Sequence, residues 1–196
     1  MSSLVTKEAP NFKAQAVFEN DEIKELELSS YRGKYTILFF YPLDFTFVCP
    51  SEIIAFDRKL EKFKERNAEV IGVSIDSQFS HYAWRNTPVE NGGIGKIRFP
   101  LVADLSKQIS KDYGVLVNDT VALRGLFLID KEGIVRHSLV NDLSLGRNVD
   151  EALRILEALQ FTEEHGEVCP ADWQAGDEAM KPTADGVAEY LAKHAK

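Results

Sequence analysis

The stretch FFYPLDFTFVCPSE, residues 39–52, decides how the rest of this 196-residue chain is read. Its first half closes the run YTILFFY (35–41), continuous in apolar and aromatic side chains as expected of a strand buried on both faces. Pro42 ends that run. From Ser51 the period changes: Ile53, Ile54, Phe56, Leu60 and Phe63 recur at helical spacing with charged residues between them, which predicts one amphipathic helix with Pro50 in its first turn. Cys49 thus falls at a strand-to-helix junction. A helix N-terminus carries unpaired N–H groups and the positive end of the helix dipole, and both favour ionised sulfur, so thiol chemistry is the first expectation.

Working outward, EVIGVSID (69–76) predicts a second buried strand, and SQFSHYAWRN a short helix with Phe79 and Trp84 as packing anchors. The glycine-punctuated VENGGIGKIRFP (89–100) reads as a surface loop, and LVAD leads into a short helix over SKQISKDYGV. GLFLID and IVRHSLV form the strands of an antiparallel hairpin turned at DKEG. NVDEALRILEALQF (148–161) is an amphipathic helix. Upstream, the charged, partly alternating VFENDEIKELELSSYRGK predicts short edge strands and a turn at Tyr31–Lys34. The order describes a mixed sheet with helices on both faces, an α/β domain. Residues 1–161 are expected to form that domain, and 162–196 a Gly-, Pro- and acid-rich tail, mobile or packed on a neighbouring subunit, with a helix over VAEYLAKHAK.

A net charge of −8 speaks against coating nucleic acid or an acidic membrane. No apolar segment is long enough to span a bilayer, and MSSLVTKEAPNF has no basic region followed by an apolar core, so a cytoplasmic location is expected. The two cysteines, Cys49 and Cys169, are too few for a disulfide scaffold and form no CxxC, leaving a thioredoxin-type dithiol and a zinc ribbon unsupported. The four histidines are too scattered to suggest a metal set.

A cysteine that attacks a peroxide needs ionisation, a donor to orient the oxidant, and stabilisation of the departing oxygen. A free thiol of pKa about 8.5 is only a few per cent thiolate at neutral pH, so a cation is wanted. Arg124, directly before the buried strand GLFLID, is the candidate, because its planar fork can address the sulfur and a peroxide oxygen together. Thr46, three residues before Cys49, offers a hydroxyl, and Pro42 shapes and shields the turn. Taken singly, these residues read as a surface charge, a turn hydroxyl and a strand terminator. Their conjunction points to a peroxidase. A non-peroxidatic thiol–disulfide oxidoreductase is the runner-up and would want the CxxC that is missing.

Residues 41–52, YPLDFTFVCPSE, resemble the active-site segment of the typical two-cysteine peroxiredoxins, with the signature Pro-x-x-x-Thr-x-x-Cys on Pro42, Thr46 and Cys49. The likeness continues through SIDSQFSHYAW, GGIG, Arg124 in ALRG and HGEVCPADW. It implies a thioredoxin-like fold with an N-terminal hairpin and a C-terminal extension. It further implies that Cys49 is oxidised to a sulfenic acid by hydrogen peroxide or an organic hydroperoxide. Cys169 of the partner subunit then resolves it as an intermolecular disulfide in a homodimer, with dimers assembling to a decamer. Glu52 and Arg147 join the site network. Thioredoxin or the flavoprotein of the alkyl hydroperoxide reductase system supplies the reducing dithiol, and no metal, flavin or haem is implied. Over-oxidised rings of the family can also behave as chaperones.

The resemblance also places Phe45, Phe79 and Trp84 near a dimer–dimer contact; His81 could sit near that ring interface and give pH-dependent assembly. GGIG (92–95) resembles the GGLG loop of readily over-oxidised members, whereas their C-terminal Tyr-Phe pair is here Tyr190-Leu191. An incomplete aromatic pair implies weaker cover over the Cys49 helix, and hence intermediate or robust resistance to over-oxidation.

Overall fold

A computed structural model describes residues 3–194. The chain falls into two compact units, one running to Val149 and the other from Asp150 onward.

The first unit is built on a seven-stranded sheet. Strands β1 (Lys13–Val17) and β2 (Ile23–Glu27) form the expected N-terminal hairpin, and a 3-10 turn at Leu28–Tyr31 leads to β3 (Tyr35–Phe40). After β3 come α1 (Cys49–Arg58), α2 (Leu60–Lys64), β4 (Ala68–Ser74), α3 (Gln78–Arg85) and β5 (Leu101–Ala103). Helix α4 (Gln108–Asp112), the small hairpin β6 (Leu116–Val117) and β7 (Val121–Ala122), and the long hairpin β8 (Arg124–Ile129) and β9 (Val135–Asn141) complete the unit. The strand order is β2-β1-β5-β4-β3-β8-β9. The three strands β5, β4 and β3 run parallel, and the remaining pairings are antiparallel. With α2 on β4 and α3 against β1 and β5, this is the thioredoxin-like α/β arrangement, a central mixed sheet flanked by helices.

Strand β3 lies inside the sheet between β4 and β8, and all six of its residues are buried, as its unbroken apolar sequence requires. Its Phe39 stacks on Phe56 of α1 with centroids 4.5 Å apart, and meets Phe99 edge-on at 5.8 Å. Aromatic burial of this kind contributes about 2–3 kcal/mol per ring and seats α1 on the sheet.

Four local expectations need correction. The single helix from Ser51 is two helices, α1 starting at Cys49 itself and a break at Lys59. Arg98 causes much of this: its Nη2 donates to the Asp57 carbonyl at 2.6 Å, and its backbone N and Nε donate to the Asp57 carboxylate at 2.7 and 3.2 Å. Phe79 is no packing anchor but 67% exposed, whereas Trp84 is fully buried. The 89–100 segment is not simply a surface loop, because Ile94, Ile97 and Phe99 are buried and Trp84 Nε1 donates to Gly92 O at 2.9 Å. Three short strands also escape the periodicity: β5, inside LVAD, and the β6–β7 hairpin, whose Asn118-Asp119 turn takes two left-handed residues (φ +51° at both).

The second unit carries α5, which spans Val149–His165, four residues beyond the sequence expectation, and α6 (Ala184–His194). The last two residues of the predicted terminal helix lie outside the described residues. Between the helices, Val168 pairs with Met180, and Trp173 is buried with its ring 5.1 Å from Phe161. Among the described residues, no helix is long and apolar enough to cross a membrane.

Candidate active site

The site lies where β3 gives way to α1. Strand pairing continues one residue past β3, Tyr41 N–H donating to Val73 O at 3.0 Å. The chain then turns through Pro42–Thr46. Asp44 pins this turn: its backbone N–H donates to Asp76 Oδ2 (2.9 Å), while its carboxylate accepts from Tyr41 Oη (2.9 Å) and Ser80 Oγ (2.7 Å) and faces His81 Nδ1 at 2.8 Å. His81 Nε2 faces the Val102 carbonyl at 3.1 Å, so the buried ring meets an acceptor on each side. Phe45 follows in the left-handed region (φ +53°), a conformation that costs a non-glycine residue about 1 kcal/mol or more and persists because the turn is held on both sides. Its ring lies 5.8 Å from Trp84.

This turn delivers Thr46 to Cys49. Thr46 Oγ1 is 2.9 Å from Leu43 O and 3.0 Å from Cys49 Sγ. One hydroxyl proton serves two acceptors: with a thiol, Oγ1 can donate to Leu43 O and accept from S–H, and with a thiolate it donates to the sulfur. Cys49 is the first residue of α1 and Pro50 the second, and no side chain caps this helix end. The Cys49 sulfur is buried beside the positive end of α1.

The cations arrive from the start of β8 and from the loop between β9 and α5. Arg124, the first residue of β8, places Nη1 3.4 Å from Cys49 Sγ and 2.6 Å from Glu52 Oε2, and its Nε donates to Leu143 O at 2.8 Å. Glu52, one helical turn beyond Cys49, is buried between two arginines. Its Oε1 accepts from Arg147 Nε at 2.7 Å and from the Arg147 backbone at 2.8 Å. Arg147 Nη1 donates to the carbonyls of Phe40 (2.7 Å) and Gly125 (2.5 Å), and its guanidinium lies over the Phe39 ring. Burial pulls the Arg147 guanidinium below arginine's usual range, while its bonds to Glu52 oppose that shift. Its Nη2 is buried without a hydrogen-bond partner among the described residues.

Thr46, Cys49, Glu52, Arg124 and Arg147 are therefore gathered at one point by side-chain contacts, with Pro42 opening the turn that carries Thr46. Donors from a hydroxyl and a guanidinium face a buried sulfur that also lies at the positive end of a helix dipole, an arrangement suited to negative charge on that sulfur and on an oxygen leaving it. Cys169 belongs to the second unit, and both cysteines are free thiols. The Asp44–His81–Tyr41–Asp76 network went unread in the sequence. Its available signal was Asp44 itself, a carboxylate placed between the Pro42 and Thr46 of the signature.

Comparison with known proteins resolves what such a site belongs to. Residues 5–138 match the model of the AhpC/TSA family. The chain belongs to that family. It is a peroxiredoxin-type thiol peroxidase, which reduces peroxides through a catalytic cysteine, and it is closely related to two-cysteine members. It is 61% identical over 193 residues to alkyl hydroperoxide reductase C of Helicobacter pylori, covering 97% of this chain and 98% of that protein. It is 56% identical over 191 residues to peroxiredoxin-2 of Mus musculus, covering 97% and 96%. The reduced 2-Cys peroxiredoxin of Plasmodium vivax superposes with a TM-score of 0.96 at 55% identity, covering 97% of this peroxiredoxin and all of that chain. Residues 158–193 of this peroxiredoxin match the C-terminal domain of 1-Cys peroxiredoxin.

Proposed function

We propose that Cys49 is the peroxidatic cysteine and that Cys169 of a partner subunit resolves it. The observation that carries this reading is the convergence of Thr46 Oγ1 and Arg124 Nη1 on Cys49 Sγ, at 3.0 and 3.4 Å. The Cys49 thiolate attacks one oxygen of a hydroperoxide, forming the S–O bond of a sulfenic acid as the O–O bond breaks. The other oxygen leaves with the electron pair and takes up a proton, yielding water or an alcohol. Thr46 and Arg124 orient the peroxide and stabilise that departing charge. Glu52 and Arg147 hold Arg124 and the first turn of α1 in place, and Pro42 sets the turn.

The Cys169 thiolate then attacks the Cys49 sulfur. The S–O bond breaks, hydroxide leaves and is protonated to water, and an intersubunit disulfide remains. An external dithiol reopens it by exchange, from thioredoxin or from the flavoprotein of an alkyl hydroperoxide reductase system; the 61% identity to a protein named alkyl hydroperoxide reductase C supports the latter. Multimeric assembly and use of a redox partner follow from the family relationship. A decamer of five dimers and a cytoplasmic location complete the reading. The peroxidase domain is assigned to residues 1–161, and the tail bearing the resolving cysteine to 162–196.

The test is the intact mass of the reduced protein under denaturing, non-reducing conditions after one equivalent of hydrogen peroxide. A covalent dimer is expected, lost in both Cys49→Ser and Cys169→Ser. A monomer carrying added oxygen would sink the role of Cys169, and an unmodified monomer the role of Cys49.

A further inference from the structure

The second unit holds Cys169 in a defined place. Its Sγ lies 3.7 Å from the Ala158 carbonyl and 3.8 Å from Thr162 Oγ1, on α5. Four residues on, Trp173 anchors the same segment: its ring meets Phe161, and its indole N–H donates to Asp177 O at 3.2 Å. Positions 151, 154, 158, 161 and 162 are three or four apart or adjacent, so they form one face of α5, and the 169–173 segment is laid along that face.

Arg154 fastens this segment. Its Nε and Nη2 form a two-pronged ion pair with Glu151 at 2.6 and 2.7 Å, which fixes the plane of the guanidinium and aims Nη1 at the Trp173 carbonyl, 2.9 Å away. Glu151 is the main cause holding the Arg154 guanidinium above its ordinary range, with Asp172 and Cys169 adding smaller attractions. Asp172, just before the fastened carbonyl, sits in the left-handed region (φ +62°), so the segment is held against a local backbone preference.

We propose that Arg154 is a positioning residue for the resolution step: braced by Glu151, it clasps the Trp173 carbonyl and keeps Cys169 on α5, so that release of this clasp governs how soon Cys169 reaches a sulfenic acid. The proposal rests on the resolving role assigned to Cys169. Opening frees Cys169 for the balanced step described above, in which a disulfide forms and water leaves. While the clasp is closed, a second hydroperoxide can oxidise the Cys49 sulfenic acid to a sulfinic acid, itself reduced to water or an alcohol.

Rapid-quench experiments on the full-length reduced protein should separate the two steps, first oxidation of Cys49 and then covalent dimer formation. Arg154→Ala should speed dimer formation about tenfold, as expected for losing one hydrogen bond to a charged group, leave the first oxidation unchanged, and lower the sulfinic fraction at a given peroxide excess. Arg154→Lys keeps a cation near Cys169 but lacks the fork, and should also speed dimer formation. Unchanged dimer formation in both variants overturns the clasp. So does slower formation in Arg154→Ala restored by Arg154→Lys, which would make Arg154 an activator of the Cys169 thiol. Wild type and Cys169→Ser measured in parallel separate this from failure of the resolving role, which shows as an oxidised wild-type monomer or as a dimer that persists in Cys169→Ser. Thermal melts check that each variant is folded.

Discussion

A single nitrogen of Arg124, Nη1, reaches both Glu52 Oε2 at 2.6 Å and Cys49 Sγ at 3.4 Å, so the carboxylate that anchors the cation and the sulfur that uses it share one donor group. Glu52 also satisfies Arg147, which makes it the hub of the network. Arg124→Lys should lower the second-order rate of Cys49 oxidation by roughly 10²-fold, the typical loss for one preorganised donor, measured by stopped-flow with hydrogen peroxide. Glu52→Gln should instead show mainly in stability, by about 3 kcal/mol, because two buried guanidiniums lose their counter-charge. An unchanged denaturant midpoint for Glu52→Gln would contradict the hub assignment.

Thr46 is placed by its hydroxyl rather than by its methyl group. Thr46→Ser should keep peroxidase turnover within a few-fold of wild type, while Thr46→Val, similar in volume, should lose roughly 10²-fold or more. Equal rates in the two variants would remove the hydroxyl from the chemistry.

Asp76 gives a pH signature. Burial, reinforced by the nearby Asp44 carboxylate, raises the Asp76 carboxyl above its ordinary value of 3.8. The folded protein therefore binds this proton more tightly than the unfolded chain does. Its contribution to stability is fully present below the unfolded value and is lost as pH rises through the raised folded value. Between about pH 3 and about pH 7, the melting temperature of wild type relative to Asp76→Asn should fall. A difference that is flat or rises with pH would show that the folded-state shift has the opposite sign.

Gly93 packs against the end of α3, where an added Cβ would lie 1.9 Å from the Thr87 carbonyl oxygen. Gly93→Ala should destabilise by about 1–3 kcal/mol through forced backbone displacement, whereas Gly92, left-handed at φ +82° with open space around it, should pay mainly a conformational penalty on substitution. Chemical denaturation of the two alanine variants distinguishes the mechanisms.

Phe45, Phe79, Tyr82 and Val89 are apolar or aromatic side chains exposed on the turn, α3 and the segment that follows. If they pack between dimers, as the proposed ring assembly requires, Phe79→Asp should shift sedimentation toward the dimer by removing about 2 kcal/mol per contact. An unchanged distribution would take Phe79 out of the assembly interface.

The sequence revealed those features whose cause is local. The unbroken apolar run of β3, the two strand-like runs about the DKEG turn of the β8–β9 hairpin and the helical period of α5 each read correctly, because burial on both faces, a tight turn or a single buried stripe each leaves a local signature. The break at Lys59 was invisible because Arg98, some forty residues downstream, helps to impose it. Phe79 misled for a related reason: a large apolar residue at helical spacing reads as core, and only the fold reveals that its side of α3 is uncovered. Of the site, Arg124 was legible from its place at the head of a buried strand, and Glu52 and Arg147 from family likeness. Asp44 and His81 were not, because a carboxylate and an imidazole 37 residues apart meet only when β3 and α3 are packed.

The break at Lys59 also sets a limit on motion. Helical order propagates along a continuous ladder of backbone bonds, and disorder spreads along it in the same way. Because α1 ends after ten residues, fraying that begins at Cys49 meets a terminus before it reaches Leu60 and Phe63, whose side chains stay locked in the interior. Motion that carries Cys49 outward is thus confined to a short tether, while the packing beneath it is preserved.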